Sequence, residues 1–114
     1  MNIYCSLRIR TDQDLDTVNK IMDMNINHKI SSLWTLDIEA SKDNPYSKIL
    51  NQFIDLIEAK FSILNSIGIY KNDVSIWLLM ESEGEEQSNI EFDAELLARL
   101  STNIVTFCIS SWTI

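Results

Sequence analysis

Two glycines, one proline, one histidine and two cysteines are all that this chain of 114 residues has of the types that usually mark turns, metal sites and catalytic centres. So little glycine and proline excludes a collagen-like or low-complexity chain, and no glycine-rich loop is present to cradle a phosphate. With a single His there is no His-x-x-x-His pair. Cys5 and Cys108 are too few and too far apart for a zinc spacing or a disulfide framework. No apolar run reaches the roughly 18 residues that a membrane helix needs, and the first ten residues lack the basic-then-apolar pattern of a secretory signal. The expected compartment is a reducing cytoplasm. Basic residues are scarce as well, nine against seventeen acidic, for a net charge of −8. That balance argues against nucleic acid or an anionic membrane as partner and suits a basic protein, whose opposite field speeds encounter. It equally suits an acidic protein that is simply soluble.

What is present is apolar patterning, 46% hydrophobic residues over a length that makes one domain, residues 1–114. The longest periodic stretch runs from Asn44, a candidate cap followed by Pro45, to Gly68, a candidate left-handed terminator. Between them Tyr46, Leu50, Phe53, Ile57, Phe61 and Leu64 recur at three- and four-residue steps, widened by Ile49, Ile54, Ala59 and Ile67. The rest of the chain reads as cover for that stripe. Ile3, Cys5, Leu7 and Ile9 alternate with Tyr4, Ser6, Arg8 and Arg10 as in a strand with one buried face. Leu15, Val18, Ile21 and Met22 mark a helix of about three turns. Residues 32–40 and 73–83 alternate again, with Trp34, Leu36 and Ile38, then Val74, Ile76, Leu78 and Met80, facing inward. Asp93 caps a short helix over 93–102 whose apolar side is Leu96, Leu97 and Leu100. A last strand over 104–113 turns Val105, Phe107 and Ile109 inward. The order β-α-β-α-β-α-β, with a polar face on three of four strands, predicts a two-layer α+β domain. Its four-stranded, mostly antiparallel sheet carries the helices on one face. The patterns do not fix the strand order.

Catalytic chemistry finds little to stand on. His28 lies in a polar loop with no nucleophile beside it, and reads as a solvated residue. Asp12, Asp14, Asp16 and Asp23 fall on a calcium-loop spacing, but Thr17 stands where Gly is needed and the stretch reads as a helix. No catalytic residue, metal site or cofactor is therefore expected. Glu81, Glu83, Glu85, Glu86, Glu91, Asp93 and Glu95 form a dense acidic run, which is either a solvated face with a helix cap or a docking surface. By strand parity the outer sheet face carries Tyr4, Arg8, Arg10, Asp37, Glu39, Trp77, Leu79, Glu81, Cys108, Ser110 and Trp112. That composition either makes an interface, a homodimer contact included, or is satisfied by Arg8 and Arg10 pairing with Asp37 or Glu39 beneath the Trp rings. The same parity puts Cys5 inside and Cys108 outside, so the two are not expected to form a disulfide.

Trp34-Thr35-Leu36, the 46–67 helix, the strand over 74–83, Asp93-Ala94-Glu95-Leu96-Leu97 and the closing strand together resemble an uncharacterised bacterial family, domain of unknown function 4279. The resemblance spans about 34–114. It implies the strand, long helix, strand, helix, strand order, and a setting of small cytosolic bacterial proteins that includes immunity partners of toxins. The chain departs from the family in the segment before Trp34 and in its Ser110-Ser111-Trp112 ending. The function expected is a non-enzymatic, cytoplasmic immunity protein that occludes a basic toxin domain. Glu83, Glu85, Glu86 and Glu91 would steer the partner, and Trp77 and Trp112 would anchor it. The alternative is a small regulatory or ligand-binding module that uses the open sheet face.

Overall fold

The computed structural model describes every residue except Lys29, Glu86, Gln87, Ser88 and Val105. The expected order is observed: β1 (Asn2–Arg10), α1 (Leu15–Ile21), β2 (Leu33–Glu39), α2 (Tyr46–Ser66), a 3-10 turn (Lys71–Asp73), β3 (Val74–Ser82), α3 (Ala94–Asn103) and β4 (Thr106–Thr113). The strands form one sheet in the order β2-β1-β3-β4. β1 pairs antiparallel with β2 and β3, and β4 runs parallel to β3. Two of three ladders are thus antiparallel, as expected. β1 alone runs against the other three strands, which makes the sheet mixed. The β3-α3-β4 segment is a crossover unit, the connection a parallel neighbour requires.

Register confirms the parity reading. Cys5, Leu7 and Ile9 stand opposite Ile38, Leu36 and Trp34 on one side and Leu78, Ile76 and Val74 on the other. This face is sealed by α2 through Ile49, Leu50, Phe53, Ile54, Ile57 and Leu64, and by Val18, Met22, Leu96 and Leu100 of the flanking helices, in one continuous core. At about 1.5 Å per residue the 21 residues of α2 reach roughly 32 Å, the width of the molecule's middle dimension. α2 ends as the sequence predicts. Gly68 adopts φ +86°, the Ile69 N–H donates to the Leu64 carbonyl at 3.0 Å and the Gly68 N–H to that of Asn65 at 3.1 Å, the paired bonds of a Schellman ending. α3 begins as predicted, with the Asp93 carboxylate accepting from the Leu96 N–H at 2.7 Å.

Several expectations are corrected. Asn44 does not cap α2. Its main chain closes a turn on Ser41, the Pro45 carbonyl accepts the first helical N–H bonds, and the Asn44 Oδ1 is buried without a partner. α1 has two turns rather than three, because Asp14 caps it late and Asp23, at φ 57°, ends it early. Ala59 is exposed, and Leu97 lies one helical step off the Leu96–Leu100–Asn103 stripe and is exposed. Ile109 has the core-side parity, opposite Leu78, yet on the edge strand β4 it is 52% exposed. Ile104 ends α3 instead of opening β4, and the inward assignment of Val105 lies outside the described residues.

Candidate functional site

The face of the sheet opposite the helices is built from the polar half of each alternating strand, and the register orders it into rows. Thr35, Arg8, Ser75 and Thr106 form one row; Asp37, Ser6, Trp77 and Cys108 the next; then Glu39, Tyr4, Leu79 and Ser110; and finally Asn2, Glu81 and Trp112. Arg10, opposite Leu33, lies beyond the first row. The surface is therefore bipolar, basic at the Arg8 and Arg10 end and acidic at the Glu39 and Glu81 end.

Of the two readings of this face, the cross-strand ion pairs do not form among the described residues: Arg8 faces Thr35 and Arg10 faces Leu33, while Asp37 and Glu39 face Ser6 and Tyr4. Opposite charges thus sit at least one same-face step apart, roughly 7 Å along the strand. The expected aromatic contact does form. The Arg8 guanidinium carbon lies 4.3 Å from the centroid of the Trp77 ring, and its Nε–H donates to Ser6 Oγ at 3.0 Å. Ser6, though on the outer face, is fully buried beneath this cover. The Trp77 Nε1–H is itself tied to Ser75 Oγ at 3.0 Å.

At the other end Tyr4 lies between Glu39 and the row of Glu81. Partial burial, and then the Glu39 and Glu81 carboxylates, push its phenol above the ordinary range. Asn2 Nδ2 donates to Glu81 Oε1 at 3.1 Å, which orients that carboxylate. Trp112, opposite Glu81, is 39% exposed. Glu83, Gly84 and Glu85, all exposed, directly follow the end of β3, just beyond Glu81. The two tryptophans are not brought together. Trp77 stands opposite Cys108, four residues from Trp112, or about 13 Å along the strand. Glu91 belongs to the helix layer, where its main chain bonds the Tyr46 hydroxyl at 2.9 and 3.0 Å, beside Phe92 packed edge-on against Tyr46 and Phe107. Glu86 lies outside the described residues.

His28 is not a solvated loop residue. Its Nδ1 accepts the Thr35 N–H at 3.3 Å, and its Nε2 lies 3.4 Å from Asn19 Oδ1. That bond pattern assigns the proton to Nε2. Asn19 Oδ1 also accepts the buried Trp34 Nε1–H at 2.8 Å, while Asn19 Nδ2 donates to the Ile26 carbonyl at 2.9 Å. The loop before β2 is thereby fastened along that strand's edge, and Asn19 is the fastening that sequence reasoning missed. Its position on the inner side of α1 was the available signal. Two of the four aspartates on the calcium spacing are used otherwise: Asp14 caps α1, and Asp23 pairs with Lys60 at 2.9 Å. Among the described residues no three His, Cys, Asp or Glu side chains gather at a metal-sized site. No helix among them is long and apolar enough to cross a membrane. Cys5 is buried and Cys108 half-buried on the opposite face, both as free thiols, as parity predicted. Compared with protein families, curated proteins and solved structures, the chain matches none.

Proposed function

We propose that this chain is a non-enzymatic binding protein that docks a basic protein domain against the acidic corner of its open sheet face. The form we assign to it is a bacterial cytoplasmic immunity protein occluding a toxin domain. The observation that carries the reading is the pairing of Glu81 with a partly exposed Trp112, with Tyr4 in the neighbouring row and Glu83 and Glu85 following Glu81 in the chain. An aromatic anchor beside a carboxylate combines electrostatic steering with a water-excluding centre. The non-enzymatic character is supported by His28, whose two ring nitrogens are both engaged by the fold. The net charge of −8 extends the attraction beyond the contact itself. The resemblance over 34–114 supplies the bacterial toxin-partner setting.

The test is association kinetics with the basic protein that co-purifies with the tagged chain, measured against ionic strength. Glu81→Lys, Glu83→Lys and Glu85→Lys together are expected to slow association by roughly tenfold or more and to flatten its salt dependence. Unchanged rates in that triple variant would remove the acidic corner from the account.

A further inference from the structure

At the basic end of the same face, we propose a second site: a pocket centred on Arg8 that takes a small organic anion, a carboxylate or phosphate headgroup carrying an apolar body. Arg8 is held for such a role. Its Nε–H is fixed on the buried Ser6 hydroxyl at 3.0 Å, and its guanidinium lies over Trp77, leaving the fork of terminal nitrogens without a partner among the described residues. A pre-set guanidinium fork matches the paired oxygens of a carboxylate or phosphate.

Of the chain's three arginines, Arg99 alone is ion-paired among the described residues. On a chain with nearly twice as many acids as bases, Lys60 is satisfied by Asp23, and Arg99 by Asp55 and Glu58. Arg8 and its neighbour Arg10 have no ion pair among the described residues, although Asp37 and Asp73 stand on the walls around them. Asp73 spends one oxygen on the Tyr70 N–H at 2.9 Å. The pair therefore presents two guanidinium groups that no described carboxylate holds in an ion pair, while Asp37 and Asp73 limit the net charge around them.

Space is available on both sides of it. A cleft of about 590 Å³ opens between Arg8, Thr35 and the loop that His28 fastens, and a smaller one of about 260 Å³ lies between Arg8, Arg10 and Trp77. The larger is of ligand size. Hydroxyls of Thr35, Ser75 and Thr106 share the Arg8 row and add donors for an oxyanion. Ile26, Leu33 and the 63%-exposed Ile30 give the cleft an apolar wall for the body of the ligand. The site stands apart from the acidic corner, and neither proposal requires the other.

Hexanoate and hexyl phosphate are the probes, titrated into the folded chain while the Trp77 indole N–H and the Thr35 amide are followed by NMR. Saturable shifts at both positions are expected, weakened by salt and roughly tenfold weaker in Arg8→Gln, which loses the fork. Arg10→Gln, at an exposed position whose replacement leaves the core intact, is expected to weaken binding several-fold. Binding of only one probe supports the site and identifies the headgroup. No saturable shift up to about 10 mM, affinities unchanged in both variants, or equal binding of hexanol would overturn it. So would inorganic phosphate binding as tightly as hexyl phosphate, which would leave the apolar wall without a role.

Discussion

Glu81 and Trp112 stand opposite each other in the parallel β3–β4 ladder, on the face that points away from the helices. This joins two features that are far apart along the chain, an acidic run after one strand and an aromatic residue near the end of another. Removing the aromatic member tests its share. Trp112→Ala is expected to speed dissociation of a bound basic partner and to cost about 2 kcal/mol, roughly 30-fold in Kd, with little change in association rate. Surface plasmon resonance separates the two rates, and an equal loss in both would mean that Trp112 does not anchor.

Tyr4 reports on the same corner. Burial, Glu39 and Glu81 all raise its phenol pKa, so Glu39→Gln with Glu81→Gln should lower it while leaving it above the ordinary value, because burial remains. NMR titration of the Tyr4 ring measures this directly. The sign for stability follows: a raised folded value means stability present below the unfolded phenol's pKa and lost as pH rises past it, and the loss should be smaller in the double variant. Coincident titration curves would separate Tyr4 from the two carboxylates.

Asn19 holds more of the fold than its position in a two-turn helix suggests. Asn19→Ala would leave the Nε1–H of Trp34, a fully buried residue, without an acceptor, and would release the Ile26 carbonyl and the His28 ring. A cost of about 2–3 kcal/mol is expected in urea unfolding. The Thr35 amide should also exchange faster with solvent as His28 loosens. A change below about 0.5 kcal/mol would contradict the bond network.

The two thiols should behave oppositely. Cys108, half-buried on the outer face, is expected to react with Ellman's reagent in the native chain, and Cys5 only on unfolding. Burial pushes the Cys5 pKa up from 9.0 to about 12. The folded state therefore keeps a proton that the unfolded state releases, and the stability it lends is complete below pH 9.0 and lost as pH climbs toward 12. Fast reaction of both native thiols at neutral pH would contradict the placement of Cys5.

Alternation made the inner face legible in the sequence, because Cys5, Leu7 and Ile9 or Val74, Ile76 and Leu78 can be buried together in only one parity. Gly68 and Asp93 were legible for a comparable reason, each being the residue type that its helix end requires. Register was not. Arg8 and Asp37 share a face, but which residue each one opposes depends on pairings that a single strand does not encode, so the choice between an ion-paired face and the stack on Trp77 stayed open. The meeting of Glu81 with Trp112 needed the strand order β2-β1-β3-β4 for the same reason. Asn44 failed as a cap because Ser41 competes for the local turn, a choice between two good hydrogen-bonding residues that spacing does not decide.

Hydrogen exchange on the complex with the co-purified basic partner tests the central claim most directly. The account predicts a stoichiometric complex in which amides around Tyr4, Glu81 and Trp112 gain protection while exposed amides on the outer side of α2 do not. Protection confined to the helix layer, or a complex that survives charge reversal at Glu81, Glu83 and Glu85 undiminished, would contradict it.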